Sequence, residues 1–192
     1  MMTSDIMVFT ETQMLPQTPD NDTRQYLHPF DLIRQDHPTD KYMSLALCTK
    51  KPIQVTSYDY FPSINGIKFE IESNIKMQKQ SFLLVYRKQS TSIRNYITGL
   101  KNILSVHDID TVLGDFNINY FNDKDSFPLK SMMESLEYKQ IVQQPTFISS
   151  GSLIDHVYIK ESSKLKILKN EVTSVYYSDH DAINLYISKS VP

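Results

Sequence analysis

Four clusters of polar residues stand where apolar runs end: Glu11 after Ile6-Met7-Val8-Phe9, then Gly114-Asp115-Phe116-Asn117, Asp155-His156 and Ser178-Asp179-His180. A strand end is a rigid place to mount a reactive side chain. Taken singly, each cluster is ordinary. Gly-Asp-x-Asn commonly forms a turn whose side chains bond their own backbone, a strand-terminal Glu is commonly an exposed carboxylate, and an Asp-His pair commonly lies in a solvated loop. Together they supply hard oxygen ligands (Glu11, Asp115, Asp155, Asp179), an amide (Asn117) and an imidazole (His180). That set suits magnesium-assisted attack of water on a phosphate ester, because the metal takes oxygen ligands and keeps positions open for water and substrate. A carboxylate near the metal can hold and deprotonate the water, and an imidazolium paired with a second carboxylate can stabilise the charge on phosphorus.

The bulk properties narrow what can surround such a site. The 192 residues suffice for one compact core, so a single domain over 1–192 is expected. Twenty Lys and Arg against 22 Asp and Glu give a formal charge of -2, which leaves no global positive field to hold a polyanion. The longest apolar runs, Leu45-Ala46-Leu47-Cys48 and Phe82-Leu83-Leu84-Val85-Tyr86, fall far below the roughly 18 residues of a membrane helix. No basic segment precedes an apolar one at the N-terminus, so the expectation is an intracellular protein, nuclear if it acts on genomic DNA. The lone Cys48 excludes an intramolecular disulfide and, with scattered histidines, a structural zinc site; it reads as a small core residue.

The elements that must position the clusters follow from periodicity. Asp5 to Thr10 reads as a strand buried on both faces, with Glu11 at its mouth. Residues 16–24 are polar and turn-rich and read as a loop. Strands are expected over 30–33, 43–49, 53–58, 67–71 and 82–86, with Asn65-Gly66 as the clearest turn. Ile93, Tyr96, Ile97, Leu100 and Leu104 then recur at helical spacing behind a Ser-Thr-Ser capping stretch. A strand over 110–114 and a helix marked by Leu129, Met132, Met133 and Leu136 come next, followed by strands over 155–159, 172–176 and 182–187. His107 reads as the end of the first long helix, and the basic run Lys164, Lys166 and Lys169 as a solvated face.

The order of these blocks resembles the endonuclease/exonuclease/phosphatase superfamily, most closely its mobile-element (retrotransposon-type) endonuclease branch. Thr10-Glu11-Thr12 is similar to the strand-terminal metal-binding Glu signature, Tyr86-Arg87 to the Tyr-Arg signature of the retroelement branch, and Gly114-Asp115-Phe116-Asn117 to the most diagnostic block. Ser152-Leu153-Ile154-Asp155 is similar to the Ser-x-Ile-Asp block and Ser178-Asp179-His180 to the terminal Ser-Asp-His. The resemblance spans Ile6 to Ile187. It implies an α/β (α+β) fold, a four-layer αββα sandwich of two mainly antiparallel sheets flanked by helices. It also implies Glu11 and Asp179 at a Mg2+ (or Mn2+) site, Asp115 and Asn117 positioning water and phosphate, Tyr86 on phosphate, and His180 with Asp155 as the charge-stabilising pair. His156 carries no role. Apart from the resemblance, Arg87 is a candidate contact for a substrate phosphate, although short charge runs are commonly solvated faces.

Only ten residues precede Glu11, whereas the family has a further strand ending in Asn and a helix upstream, so the chain reads as N-terminally truncated. An open strand edge, poor solubility and weak metal affinity are expected from that. Lys88-Gln89 also stands where the branch has prolines, and Asp40-Lys41-Tyr42-Met43 where a glycine-rich turn is usual. The function implied is a metal-dependent phosphodiesterase cleaving DNA by in-line water attack, with fusion to or association with other mobile-element domains. The alternatives are a catalytically impaired remnant of the same fold, or a phosphatase or RNA-directed member. No amphipathic cationic helix favours a membrane partner.

Overall fold

The computed structural model describes residues 4–73 and 79–189; Met1 to Thr3, read above for a leader, lie outside them. The chain divides into two compact units, Met1–Tyr86 and Arg87–Pro192. Mainly antiparallel strands and, among the described residues, three α-helices place it in the α/β class expected from the sequence. Among the described residues no helix is long and apolar enough to cross a membrane.

The first unit contains β1 (Ile6–Phe9), α1 (Asp20–Leu27), β2 (Phe30–Gln35), β3 (Leu45–Lys50), β4 (Ile53–Phe61), β5 (Gly66–Ser73) and β6 (Gln80–Tyr86). β3 lies between β1 and β2, both antiparallel to it, with Ile6 opposite Thr49 and Phe9 opposite Ala46. Residues 45 to 49 of β3 and all seven of β6 are buried, the apolar runs Leu45 to Cys48 and Phe82 to Tyr86 together with polar Thr49, Gln80 and Ser81. β4, β5 and β6 form an antiparallel meander in which Phe69 and Phe82 stack at 5.2 Å. Cys48 packs instead with Leu32 and Ala46 in the core of the three-stranded sheet, where burial pushes its thiol up to about 11, as an unreactive small hydrophobe.

Three expectations for this unit need correction. β1 is not buried on both faces: its residues are half-buried and Phe9 is 37% exposed, because β1 stands at the edge of the three-stranded sheet. The polar stretch read as a loop folds from Asp20 onward into α1. That helix buries no residue, so it has no apolar periodicity to read; Asp20 and Asp22 in its first turn complement its dipole. Arg34 holds its entry, donating to the carbonyls of Thr18 at 2.9 Å and Leu15 at 3.0 Å. Finally, β3 starts at Leu45 rather than at Met43, since residues 41 to 43 form a 3-10 turn capped by Asp40, which accepts the Tyr42 N–H.

The second unit contains α2 (Ile93–Val106), β7 (Thr111–Asp115), α3 (Asp123–Ser135), β8 (Tyr138–Gln140), β9 (Asp155–Lys160), β10 (Leu165–Thr173) and β11 (Ala182–Lys189). α2 buries the expected stripe of Tyr96, Ile97, Leu100 and Leu104, and Ser92 caps it by accepting the Asn95 N–H. β9 runs antiparallel between β7 and β8, and β10 and β11 form a two-stranded ribbon. β8 has only three residues, too few to show a period. β10 stops at Thr173, so Tyr176, expected inside a strand, lies instead in the connecting loop. Phe116 centres an aromatic core, with the rings of His156 at 4.8 Å, Tyr158 at 5.6 Å and Tyr96 at 6.2 Å.

Candidate active site

In the first unit, β6 ends at Tyr86, whose hydroxyl donates to Glu11 Oε1. Glu11 follows the edge strand β1, and the next residue is pinned where Thr12 N–H donates to the Ser44 carbonyl at 3.1 Å. Ser44 Oγ in turn donates to the Met14 carbonyl at 2.7 Å. Glu11 has φ 50°, a left-handed conformation uncommon for a residue with a long side chain. Backbone geometry and the tyrosine together fix where this half-buried carboxylate points.

The second unit carries the larger group. β7 climbs out of the core and ends in Gly114-Asp115-Phe116-Asn117, a turn that this sequence is made for. Gly114 takes φ 134°, which favours glycine, and Asn117 takes φ 49°, which its short amide tolerates. Buried Phe116 anchors the turn. Asp115, only 2% exposed, accepts the Asn117 N–H at 2.7 Å and its side-chain amide at 3.0 Å. The same amide donates to the Arg87 carbonyl at 2.9 Å.

Antiparallel pairing of β7 with β9 sets Asp155 directly opposite Asp115. Like charges facing across a strand pair destabilise it unless a cation offsets them. His180 supplies that cation: its Nδ1 and Asp155 Oδ2 are 2.8 Å apart. The bond to Asp155, and then the negative charges of Asp155, Asp115 and Asp179, raise the imidazole to about 9 against the opposing effect of burial. It is therefore charged at neutral pH. His180 is held by Ser178 Oγ, which accepts its N–H at 3.0 Å, and by Phe147, whose ring meets the imidazole at 5.0 Å. Asp115, Asp155 and His180 each bring one ligand atom within 4.8 Å of the other two, a cluster compact enough to hold a metal ion.

Of the residues expected at a site, the second unit thus brings together Asp115, Asn117, Asp155 and His180, and the first unit joins Glu11 to Tyr86. Asp179 is exposed, and its carbonyl accepts the Ile148 N–H at 3.0 Å. Arg87 is placed differently from the phosphate contact expected of it. It is 3% exposed, and its guanidinium donates to the carbonyls of Phe116 at 2.7 Å and Asn117 at 2.6 Å, and to those of Lys88, Gln89 and Thr91. Five carbonyl partners make it the brace of the Asp115 turn. His156, given no role, is a core residue with its ring nitrogens bonded to the Leu153 carbonyl and the Tyr158 hydroxyl. Sequence reasoning missed Thr146, whose buried Oγ1 accepts the N–H groups of Ile154 at 3.3 Å and Asp155 at 3.1 Å and so positions the β9 end. It also missed Phe147. No periodic pattern covers 141–152, so nothing in the sequence marked either.

No protein-family model and no curated protein matches the sequence. Solved structures do. The endonuclease domain of TRAS1, a telomere-specific non-LTR retrotransposon, is 13% identical over 83% of this chain and 78% of its own, with TM-score 0.67. The 3' phosphatase NExo from Neisseria, bound to a product DNA hairpin, is 12% identical over 96% and 89%, with TM-score 0.66. An endonuclease/exonuclease/phosphatase family protein from Bacteroides thetaiotaomicron is 11% identical over 89% and 79%, with TM-score 0.61. At such identities the likeness concerns the backbone arrangement, and it extends over most of each chain. The structural neighbours of this chain are endonuclease/exonuclease/phosphatase-fold proteins, a retrotransposon endonuclease domain among them, and the chain has their fold.

Proposed function

We propose that the chain is a metal-dependent phosphodiesterase that cleaves DNA by in-line attack of water, of the mobile-element endonuclease type. The observation that carries this reading is the charged His180 bonded to Asp155 with Asp115 alongside, an imidazolium bracketed by carboxylates. Asp115 receives the proton of the attacking water, and the Asn117 amide keeps its carboxylate oriented. His180 donates hydrogen bonds to the phosphate as negative charge builds, and Asp155 holds the ring in the orientation and charge state for that role. Tyr86 orients Glu11 and is offered as a phosphate contact.

The donor chemistry fits a hard divalent cation. A charged imidazole has a proton on both nitrogens and no lone pair for a metal, so the compact Asp115, Asp155 and His180 cluster offers carboxylate oxygens as its ligands. Asp179 in the second unit and, separately, Glu11 in the first are the proposed metal-binding carboxylates for Mg2+ or Mn2+. When bound, the metal supplies Lewis-acid polarisation of the phosphate. The TRAS1 endonuclease domain supports DNA scission, while the Neisseria 3' phosphatase supports a second reading, removal of a terminal phosphate.

Supercoiled plasmid incubated with Mg2+ tests the first reading: nicked circles are expected, absent with EDTA and absent with His180→Ala. Release of inorganic phosphate from a 3'-phosphorylated oligonucleotide without nicking would favour the second. Nicking that persists in EDTA would overturn both.

A further inference from the structure

The loop that joins β10 to β11, residues 174–181, is anchored along one half only. Ile148 N–H donates to the Asp179 carbonyl at 3.0 Å, Asp181 N–H to the Thr146 carbonyl at 2.7 Å, and His180 N–H to Ser178 Oγ at 3.0 Å. The other half carries Tyr176 and Tyr177. Their rings meet edge to face, with centroids 5.3 Å apart and planes at 84°, and they are 100% and 69% exposed. Neither hydroxyl has a hydrogen-bond partner among the described residues. Ile148, tied to Asp179, is exposed beside the same anchored half.

Single exposed apolar side chains are ordinary, but two adjacent bare rings do nothing for the stability of this fold. Tyr177 precedes His180 by three residues, so the two lie within roughly 10 Å along the chain even if the backbone between them is fully extended. A nucleotide presents the same juxtaposition, an anionic phosphate at one end and a flat aromatic base at the other. Only an unstacked base offers its face to a ring; in a duplex those faces are covered by neighbouring bases. The chain's formal charge of -2 adds weight, because without a broad positive field a strand must be held by local contacts, and stacking is one that needs no charge.

We propose that Tyr176 and Tyr177 form a stacking platform for an unpaired base next to the phosphate at His180, so that the substrate is single-stranded or locally unpaired nucleic acid. The inference rests on the phosphodiesterase reading and adds to it the form of the substrate. A lipid or sugar phosphate has no base to stack.

The test compares Mg2+-dependent cleavage of a labelled oligo-dT with that of a base-free strand of the same length, built from abasic spacer nucleotides. Replacing both residues, Tyr176→Ala with Tyr177→Ala, is expected to raise KM for oligo-dT about tenfold. kcat should stay within about twofold, since the rings touch no reacting atom. KM for the base-free strand should not move. The Tyr→Phe pair, which keeps the rings and removes the hydroxyls, should restore the parent KM for oligo-dT. Equal KM increases on both strands would mean sugar or phosphate contacts and overturn the platform, as would an unchanged KM on oligo-dT. If the parent cleaves neither strand nor plasmid, the phosphodiesterase reading itself falls.

Discussion

Asp115 and Asp155 face one another across the antiparallel β7–β9 pair, and the charged ring of His180 is bonded to the second of them. Two carboxylates opposed in this way gain from a shared cation, so the site is stabilised by the group it would use on a phosphate. His180→Ala and Asp115→Ala should each lower the nicking rate at least roughly a hundredfold, with substrate binding much less affected. Steady-state kinetics on a plasmid or oligonucleotide checks this, and Lys164→Ala serves as an exposed control. Full activity in both variants would place the chemistry elsewhere.

Tyr86→Phe removes a hydroxyl that donates to Glu11 and leaves the ring in the buried β6 core. The fold should persist and the Mg2+ concentration for half-maximal activity should rise, because Glu11 loses the group that orients it. Circular dichroism together with a metal titration separates this from a general loss of structure.

Arg87→Lys tells a brace from a phosphate contact. An ammonium carries three donors and no planar fork, so it cannot reproduce bonds to the carbonyls of both Phe116 and Asn117 together with those of the 88–91 loop. Loss of stability of roughly 2–4 kcal/mol in urea unfolding is expected, arising from buried carbonyls left without partners. A variant of unchanged stability with a raised KM would instead make Arg87 a phosphate ligand.

His156 sets a pH dependence of stability. Burial, the largest influence, depresses its ring to about 4, below the ordinary 6.5. The unfolded chain therefore binds a proton more readily than the folded one between those values. Its contribution is complete above about pH 6.5 and is lost as the pH falls towards 4, by up to roughly 3 kcal/mol. Urea midpoints at pH 7 and pH 5 should differ in the parent and differ less in His156→Phe.

Local pattern determined a good deal of this protein. The run 82–86 had one solution as a buried strand, the stripe from Ile93 to Leu104 one solution as a helix against a core, and Gly114 and Asn117 are residues suited to the left-handed steps of their turn. These are short-range preferences, read from neighbours a few residues apart. α1 escaped because it buries nothing and so carries no stripe, and β1 was read as doubly covered because an apolar run does not say how many neighbours a strand will have.

Tertiary structure alone decided what the charged residues do. Asp115 and Asp155 are forty residues apart and became partners through a strand register; His180 reached them from a ribbon loop fastened at Thr146 and Ile148. Arg87, expected at a substrate phosphate, was buried against five carbonyls, while Tyr176, expected in a strand, was left bare in the loop that carries His180. A sequence states which groups exist and how their nearest neighbours fold. Whether a charge meets a carbonyl, a carboxylate or water depends on which distant segments share its surroundings, and only the assembled chain fixes that.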